Sequence, residues 1–365
     1  MKITGFETTL LRIPYKVPIQ WGARAGDGDD YLFLRVQTDE GIDGWAESME
    51  APPWSPITSR GLDQMLHEVY EPLVKGQDPL RPAQVWARLN SIREWNSAKA
   101  MIEVALCEIQ AKNAGLPCWK FLGGWTNRVP VSWLINLGPP EAMLQDAHEA
   151  VEAHGFRSLK VKIGRNPPAD VEAVRQLRAA FGPDMKLFMD ANGQYTHDEA
   201  LWVANRIAEY DVSLFEDPCP MHLNERTRQM MARSPVPVMA DRVVSTVEEA
   251  EQYMALGAAA LNLKVSSMGY RETARVVEAA KARGVGCVVG VGSETAMRAL
   301  VSLHIRGALQ HLDEYPAENS FFLKLAIDVL EEPVRIVDGM IELSEAPGFG
   351  VSLNMEAIEP YRLNL

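Results

Sequence analysis

Ser158-Leu159-Lys160-Val161-Lys162-Ile163 is a short apolar run carrying two lysines, and the same form recurs down the chain. Lys186-Leu187-Phe188-Met189 leads to Asp190, Ser213-Leu214-Phe215 to Glu216, and Val238-Met239-Ala240 to Asp241. Ala260-Leu261-Asn262-Leu263-Lys264-Val265 carries a third lysine. With residues 129–135 before them, and 286–291 and 310–312 after them, they make eight runs that start about 25 residues apart. Segments of helical period (169–181, 198–210, 246–256 and 270–283) lie between them. Eight alternating strand–helix units predict an α/β protein built on a modified (β/α)8 TIM-type barrel. An open doubly wound sheet would carry a glycine-rich phosphate turn after its first strand, and Asn136-Leu137-Gly138-Pro139-Pro140 is not one.

Outward from the barrel, assigned to residues 126–330, the texture changes on both sides. Residues 1–125 read as an α+β unit. A strand over 3–12 gives way to a polar, glycine-rich stretch, 22–30, and a second strand covers 31–38. Asp39-Glu40-Gly41 stops that strand, Gly44-Trp45-Ala46-Glu47-Ser48 returns, and 58–115 is helical, with its clearest period over 98–115. The tail, 331–365, returns to β texture. Residues 334–337, Asp338-Gly339 and 340–343 give a hairpin signal, and the tail is expected to pack back on the N-terminal unit.

The composition suits a globular enzyme. Of 365 residues, 47% are hydrophobic and 23% charged, which excludes disorder and coiled coil. A net charge of −13 argues against nucleic acid or an anionic membrane as partner, since both need clustered positive charge. Four cysteines without a C-x-x-C pair suit buried thiols rather than a disulfide framework. No stretch resembles a signal peptide or a membrane span, so the expectation is a soluble, cytoplasmic protein.

The charges sit where barrel chemistry is done, at the C-terminal ends of strands. Asp190, Glu216 and Asp241, spaced by 26 and 25 residues, suit a hard cation such as Mg²⁺. Each acid alone equally suits a helix N-cap. Lys162 and Lys264 fall on opposite sides of an eight-stranded ring, so two amines face each other across the mouth. Neighbouring positive charge lowers a lysine pKa and readies it as a general base. His304 reads as helix packing, and Trp133 and Ile135 as candidates to face the pocket.

The set Lys160-Val161-Lys162, Met189-Asp190-Ala191-Asn192, Phe215-Glu216-Asp217-Pro218, Ala240-Asp241 and Asn262-Leu263-Lys264 resembles the enolase superfamily. The paired lysines resemble its muconate lactonizing enzyme subgroup, within the mandelate racemase/muconate lactonizing enzyme family. Thr38-Asp39-Glu40-Gly41-Ile42-Asp43-Gly44-Trp45, Leu122-Gly123-Gly124 and Ala346-Pro347-Gly348-Phe349-Gly350 extend the resemblance over nearly the whole chain. The mandelate racemase subgroup is set aside, because a histidine should end the seventh strand and Val288-Val289-Gly290-Val291-Gly292 has none.

The resemblance implies an α+β capping domain formed by the N-terminal part and the C-terminal tail. It implies Mg²⁺, or Mn²⁺, on Asp190, Glu216 and Asp241, and removal of a proton α to a substrate carboxylate through an enediolate. Lys162 would be the base on one face and Lys264 the acid or base on the other. Lys160 would add positive charge to the same oxygens. Asn192 would orient a ligand, and Glu294 would help bind the substrate. Asp313 corresponds to a place where some members read a distal amine. The resemblance also implies a homo-oligomer acting on a small-molecule carboxylate. One departure is Arg242, where members usually carry an acid after the third ligand.

Specificity in such a fold belongs to the capping loops. Gln20-Trp21-Gly22-Ala23-Arg24 offers an apolar wall in Trp21 and a carboxylate partner in Arg24, and Met49-Glu50-Ala51-Pro52-Pro53-Trp54 is the second such loop. The expected reaction is that of a metal-dependent isomerase, either a racemase or epimerase of an amino-acid derivative or a cycloisomerase. The alternatives are syn-elimination by a dehydratase and a non-catalytic ligand-binding barrel.

Overall fold

A computed structural model describes residues 1–21, 24–52, 55–93, 96–241 and 243–364, without the side chains of Trp21 and Arg24. The chain opens with two long antiparallel strands, β1 (Ile3–Trp21) and β2 (Arg24–Thr38), with β3 (Gly44–Ser48) added on β2. Within the expected break at 22–30, residues 24–30 are strand, because β2 keeps pairing from Trp21↔Arg24 through Arg12↔Asp30. Glycines there do not end the ladder, since its hydrogen bonds need only backbone.

Helix α1 (Asn96–Asn113) packs between this sheet and the barrel, and most of its surface is buried. Gly44 allows the close approach: a methyl there would overlap the carbonyl oxygen of Ala105 and stand 2.7 Å from its carbon. Trp45 N donates to Glu108 Oε2 at 2.6 Å across the same contact.

After β4 (Arg128–Pro130), seven parallel strands form the barrel wall. They are β5 (Trp133–Ile135), β6 (Ser158–Lys162), β7 (Lys186–Asp190), β8 (Val212–Glu216), β9 (Val238–Ala240), β10 (Ala260–Leu263) and β11 (Gly286–Val289), paired in sequence order. Helices α2 (Pro140–His154), α3 (Pro167–Phe181), α4 (His197–Ile207), α5 (Glu225–Arg233), α6 (Val247–Leu256), α7 (Val265–Arg283) and α8 (Ala296–Ala308) alternate with them. Among the described residues, no helix is long and apolar enough to cross a membrane.

The eighth place in the ring is not where the sequence put it. Residues 310–313 form a single 3-10 turn in which only Leu312 is buried. The chain closes the ring at Ala317–Glu318 instead. Ala317 N donates to Pro130 O at 2.9 Å, Ser132 N to Ala317 O at 2.8 Å, and Glu318 N to Val289 O at 2.9 Å. A run of one apolar residue between polar neighbours carries no period, so the repeat length alone misplaced it. The tail also departs in part. Asp338 and Gly339 take positive φ (52° and 71°) and β12 (Met340–Glu342) pairs antiparallel with β4, but residues 334–337 are not a strand. The tail also touches the N-terminal unit: Leu363 N donates to Leu10 O at 2.8 Å and Cys118 N to Gly348 O at 2.8 Å.

Inside the barrel, Phe188, Leu214, Met239, Ala260 and Val288, one from each of β7 to β11, form an apolar layer. Side chains two residues further along a strand return to the same face. That period delivers Asp190, Glu216, Asp241 and Asn262 to the lumen immediately above the apolar floor.

Candidate active site

The three acids do not cap the helices that follow them. Thr196 caps α4 and Thr246 caps α6, each with a glutamate closing the reciprocal bond, and Asn224 caps α5. Asp190 faces Glu216 in register across β7 and β8, and Asp241 follows β9 directly. All three are at most 5% exposed.

Three lysines thread between the acids. Lys160 Nζ lies 2.5 Å from Glu216 Oε2, 2.7 Å from Glu318 Oε2 and 3.3 Å from Asp190 Oδ2. Lys162 Nζ donates to Asp190 Oδ2, and to Asn192 Oδ1 at 3.3 Å. Lys264 Nζ stands 2.7 Å from Asp241 Oδ1 and donates to Asn262 Oδ1 at 2.8 Å. Asn262 ties the set together, since its Nδ2 donates to Glu216 Oε1 at 3.1 Å and Glu318 Oε2 at 3.0 Å. Asn192, at φ 48°, turns back so that its N and Nδ2 both donate to Asp190 Oδ1 (2.8 and 2.7 Å). Asp217, at φ 35°, accepts from Asp241 N at 3.0 Å.

The electrostatics follow from this crowding. Burial, then the charges of Asp190 and Glu318, push the Glu216 carboxyl well above the usual carboxylate range. Burial alone would lower the Lys160 ammonium, but Glu216, Glu318, Asp190 and Asp241 together raise it well above an ordinary lysine. Asp241 goes the other way: burial opposes ionisation, yet Lys264 and Lys160 hold its carboxyl below the ordinary value.

The donor set consists of oxygens, as a hard divalent cation requires. Glu216 Oε2 and Asp241 Oδ1 are buried and near an ammonium, yet neither has a partner in hydrogen-bonding geometry. Two buried carboxylate oxygens on neighbouring strands, each paired with an ammonium that a divalent cation could replace, fit such a cation. In the present arrangement ammonium groups stand between the acids. Among the described residues, no three His, Cys, Asp or Glu side chains gather around one point.

Lys160, Lys162, Asp190, Asn192, Asp241 and Lys264 line one cavity of about 630 Å³ at the barrel mouth. Met49, Glu50 and Ala51 from the N-terminal unit cover it, as the sequence placed that loop. Pro53, Trp54 and Arg242 lie outside the described residues, as do the side chains of Trp21 and Arg24.

Other expectations are corrected. Asp313 is absent from the cavity; its partly exposed carboxylate pairs with Arg306 Nη2 at 2.8 Å, on the turn that replaces the expected eighth strand. Glu294 is buried behind the cavity, where it accepts from Asn319 Nδ2 at 2.9 Å. Burial pushes its carboxyl up to about 8, against the opposing charge of Arg298. Trp133 faces a separate cavity of about 360 Å³, with Lys324 Nζ 4.1 Å from its ring centroid, and Ile135 lines neither cavity. His304 is buried as expected, accepting from Trp119 N at 2.9 Å. The four cysteines are free and buried.

The sequence reading missed Glu318 and Asn319, and it quoted Asn262 beside Lys264 without giving it a role. Asn262 was detectable, two residues before Lys264 and hence on the same face. Glu318 was not, because its strand position is defined only by closure of the ring.

The chain resembles known proteins over nearly its whole length. Residues 6–123 match the family described as mandelate racemase / muconate lactonizing enzyme, N-terminal domain, and residues 142–357 match the enolase C-terminal domain-like family. Muconate cycloisomerase 1 of Rhodococcus opacus is 29% identical over 100% of this chain and 99% of its own. The L-Ala-D/L-Glu epimerase of Bacillus subtilis (strain 168) is 26% identical over 96% and 97%. The structure of a muconate lactonizing enzyme from Pseudomonas fluorescens, complexed with muconolactone, superposes with a TM-score of 0.93 at 27% identity, covering 99% of both chains.

Proposed function

We propose, for a chain that belongs to the mandelate racemase / muconate lactonizing enzyme family of the enolase superfamily, an isomerase that removes and returns a proton α to a substrate carboxylate. Enzymes of this family are divalent-metal dependent. Asp190, Glu216 and Asp241 are the residues that would hold the metal, Mg²⁺ by the hardness of their oxygens. When bound, it supplies positive charge to the carboxylate oxygens on which negative charge grows as the C–H bond breaks.

One observation carries the reading: the amines of Lys162 and Lys264 enter one cavity from opposite sides of the acid-bearing strands β7 to β9. Unprotonated Lys162 Nζ takes the α-proton, and the electron pair left on carbon spreads into the carboxylate. Lys264 Nζ, as ammonium, delivers a proton to the other face, so the carbon inverts. Asn192 and Asn262 orient the two amines through the bonds described above, and Lys160 holds positive charge beside the same acids.

Similarity to both an epimerase and a cycloisomerase keeps two outcomes in play. Epimerisation uses both lysines, whereas cycloisomerisation needs only one. Incubating N-acyl amino acids, dipeptides and muconates with enzyme and Mg²⁺ in D₂O separates them. Deuterium entering the α-position of both enantiomers supports the two-base reaction, and exchange from one enantiomer alone rejects it. Lys162→Ala should slow exchange at least about 100-fold on the face it serves. Activity within a few-fold of wild type would reject Lys162 as the base.

A further inference from the structure

The second cavity, of about 360 Å³, lies between β1, β5 and α2, and the proton transfer does not use it. Strand β1 shifts register between Pro14↔Gly28 and Ile19↔Gly26, and from that shift Lys16 and Val17 line the cavity on one side. Trp133 of β5, Met143 of α2 and Leu323 supply apolar wall. Lys324, in the 3-10 turn Phe321–Lys324, brings an amine to it and is 8% exposed.

The amine has weak partners. Its Nζ rests 4.1 Å from the Trp133 ring centroid, a contact that favours the ammonium as the resting form. It stands 3.9 Å from Asp146 Oδ2, an ion pair too long to be a hydrogen bond. Withdrawing such a pair from water disfavours both charges. Burial lowers the Lys324 ammonium to about 8 and raises the Asp146 carboxyl, each against the charge of the other. A proton moved from one to the other leaves a neutral amine beside a carboxylic acid. On the same wall, Asn136 Oδ1 is buried without a hydrogen-bond partner, an acceptor that nothing in the protein uses.

We infer that Lys324 is a nucleophilic amine that condenses with a small apolar aldehyde or ketone held in this cavity. Neutral Nζ attacks the carbonyl carbon, and the carbonyl π pair moves to oxygen. Asp146 gives its proton to that oxygen and takes one from nitrogen, which leaves a carbinolamine. Its new hydroxyl has Asn136 Oδ1 as acceptor. Asp146 then protonates the hydroxyl, water leaves, and the nitrogen pair closes the C=N bond. The balance is amine, carboxylic acid and carbonyl in, iminium, carboxylate and water out, with no oxidant or reductant. Trp133 offers a flat face to the bound carbonyl compound, and the assignment is independent of the α-proton reading.

Benzaldehyde at limiting concentration, with sodium cyanoborohydride and the intact protein, traps the iminium as a secondary amine that peptide mass spectrometry assigns to each lysine. Near pH 7, Lys324 should be labelled at least about tenfold faster than Lys75, whose side chain is 62% exposed. The Lys324 rate should level off above about pH 8, while that of Lys75 keeps rising towards about pH 10. Excess benzyl alcohol, which fills the cavity and cannot condense, should slow Lys324 and spare Lys75. Asp146→Asn should slow Lys324 alone. Labelling of Lys324 within about threefold of Lys75, no protection by benzyl alcohol, or an unchanged rate in Asp146→Asn overturns the assignment. The first two comparisons use the wild-type protein, so they stand even where the variant folds poorly.

Discussion

Replacing Lys160 by methionine keeps the length of the side chain and removes its charge. Lys160 Nζ touches three carboxylates at 2.5, 2.7 and 3.3 Å, with all four side chains nearly inaccessible. At an effective dielectric of about 20, each contact is worth roughly 5–7 kcal/mol of gross attraction. Most of that offsets desolvation, so the net cost of breaking the cluster should be about 3–5 kcal/mol. Urea unfolding with EDTA near pH 8 measures it.

The pH dependence has a definite sign. Burial already raises the Glu216 carboxyl against the opposing charge of Lys160, so removing that ammonium raises it further and makes ionised Glu216 costlier in the folded state than in the unfolded chain. Stability from such a group is present at lower pH and lost as pH rises through its folded pKa. Lys160→Met should therefore be least stable at alkaline pH and recover on mild acidification. A divalent cation at a hundred times its dissociation constant should return about 2.7 kcal/mol. A Lys160→Met protein within about 1 kcal/mol of wild type, in EDTA near pH 8, would refute the claim that this ammonium neutralises the buried acids.

Three other expectations follow from single contacts. Gly290→Ala puts a methyl into Asn262 Oδ1 and 2.6 Å from Lys264 Nζ, so α-deuterium exchange on the Lys264 face should fall at least about tenfold while circular dichroism is unchanged. Gly44→Ala forces β3 away from the carbonyl of Ala105, which cannot move without its helix, and should cost about 2–4 kcal/mol in urea unfolding. Burial lowers the His304 imidazole to about 4, so the unfolded chain binds its proton first. Stability should then fall by up to about 3 kcal/mol as pH drops from the ordinary histidine range towards 4, a loss that His304→Gln removes.

Sequence alone determined the repeat, the acids and the paired lysines, because each is a local statement. A strand of period two places alternate residues in the lumen, and an acid at its end stands at the mouth whatever the rest of the chain does. Asp190, Glu216, Asp241, Lys162 and Lys264 were legible on that basis. Tertiary structure alone decided that Thr196, Asn224 and Thr246 do the capping and leave those acids for chemistry. It also moved the eighth position from 310–312 to Ala317–Glu318, removed Asp313 from the cavity and brought Glu318 to Lys160. Arg298 belongs to the same class, an arginine on a helix by sequence and a buried cation on the cavity wall by packing. The reason is physical. Periodicity reports which way a side chain points from its own strand, whereas ring closure and charge pairing depend on distances between segments far apart in the chain.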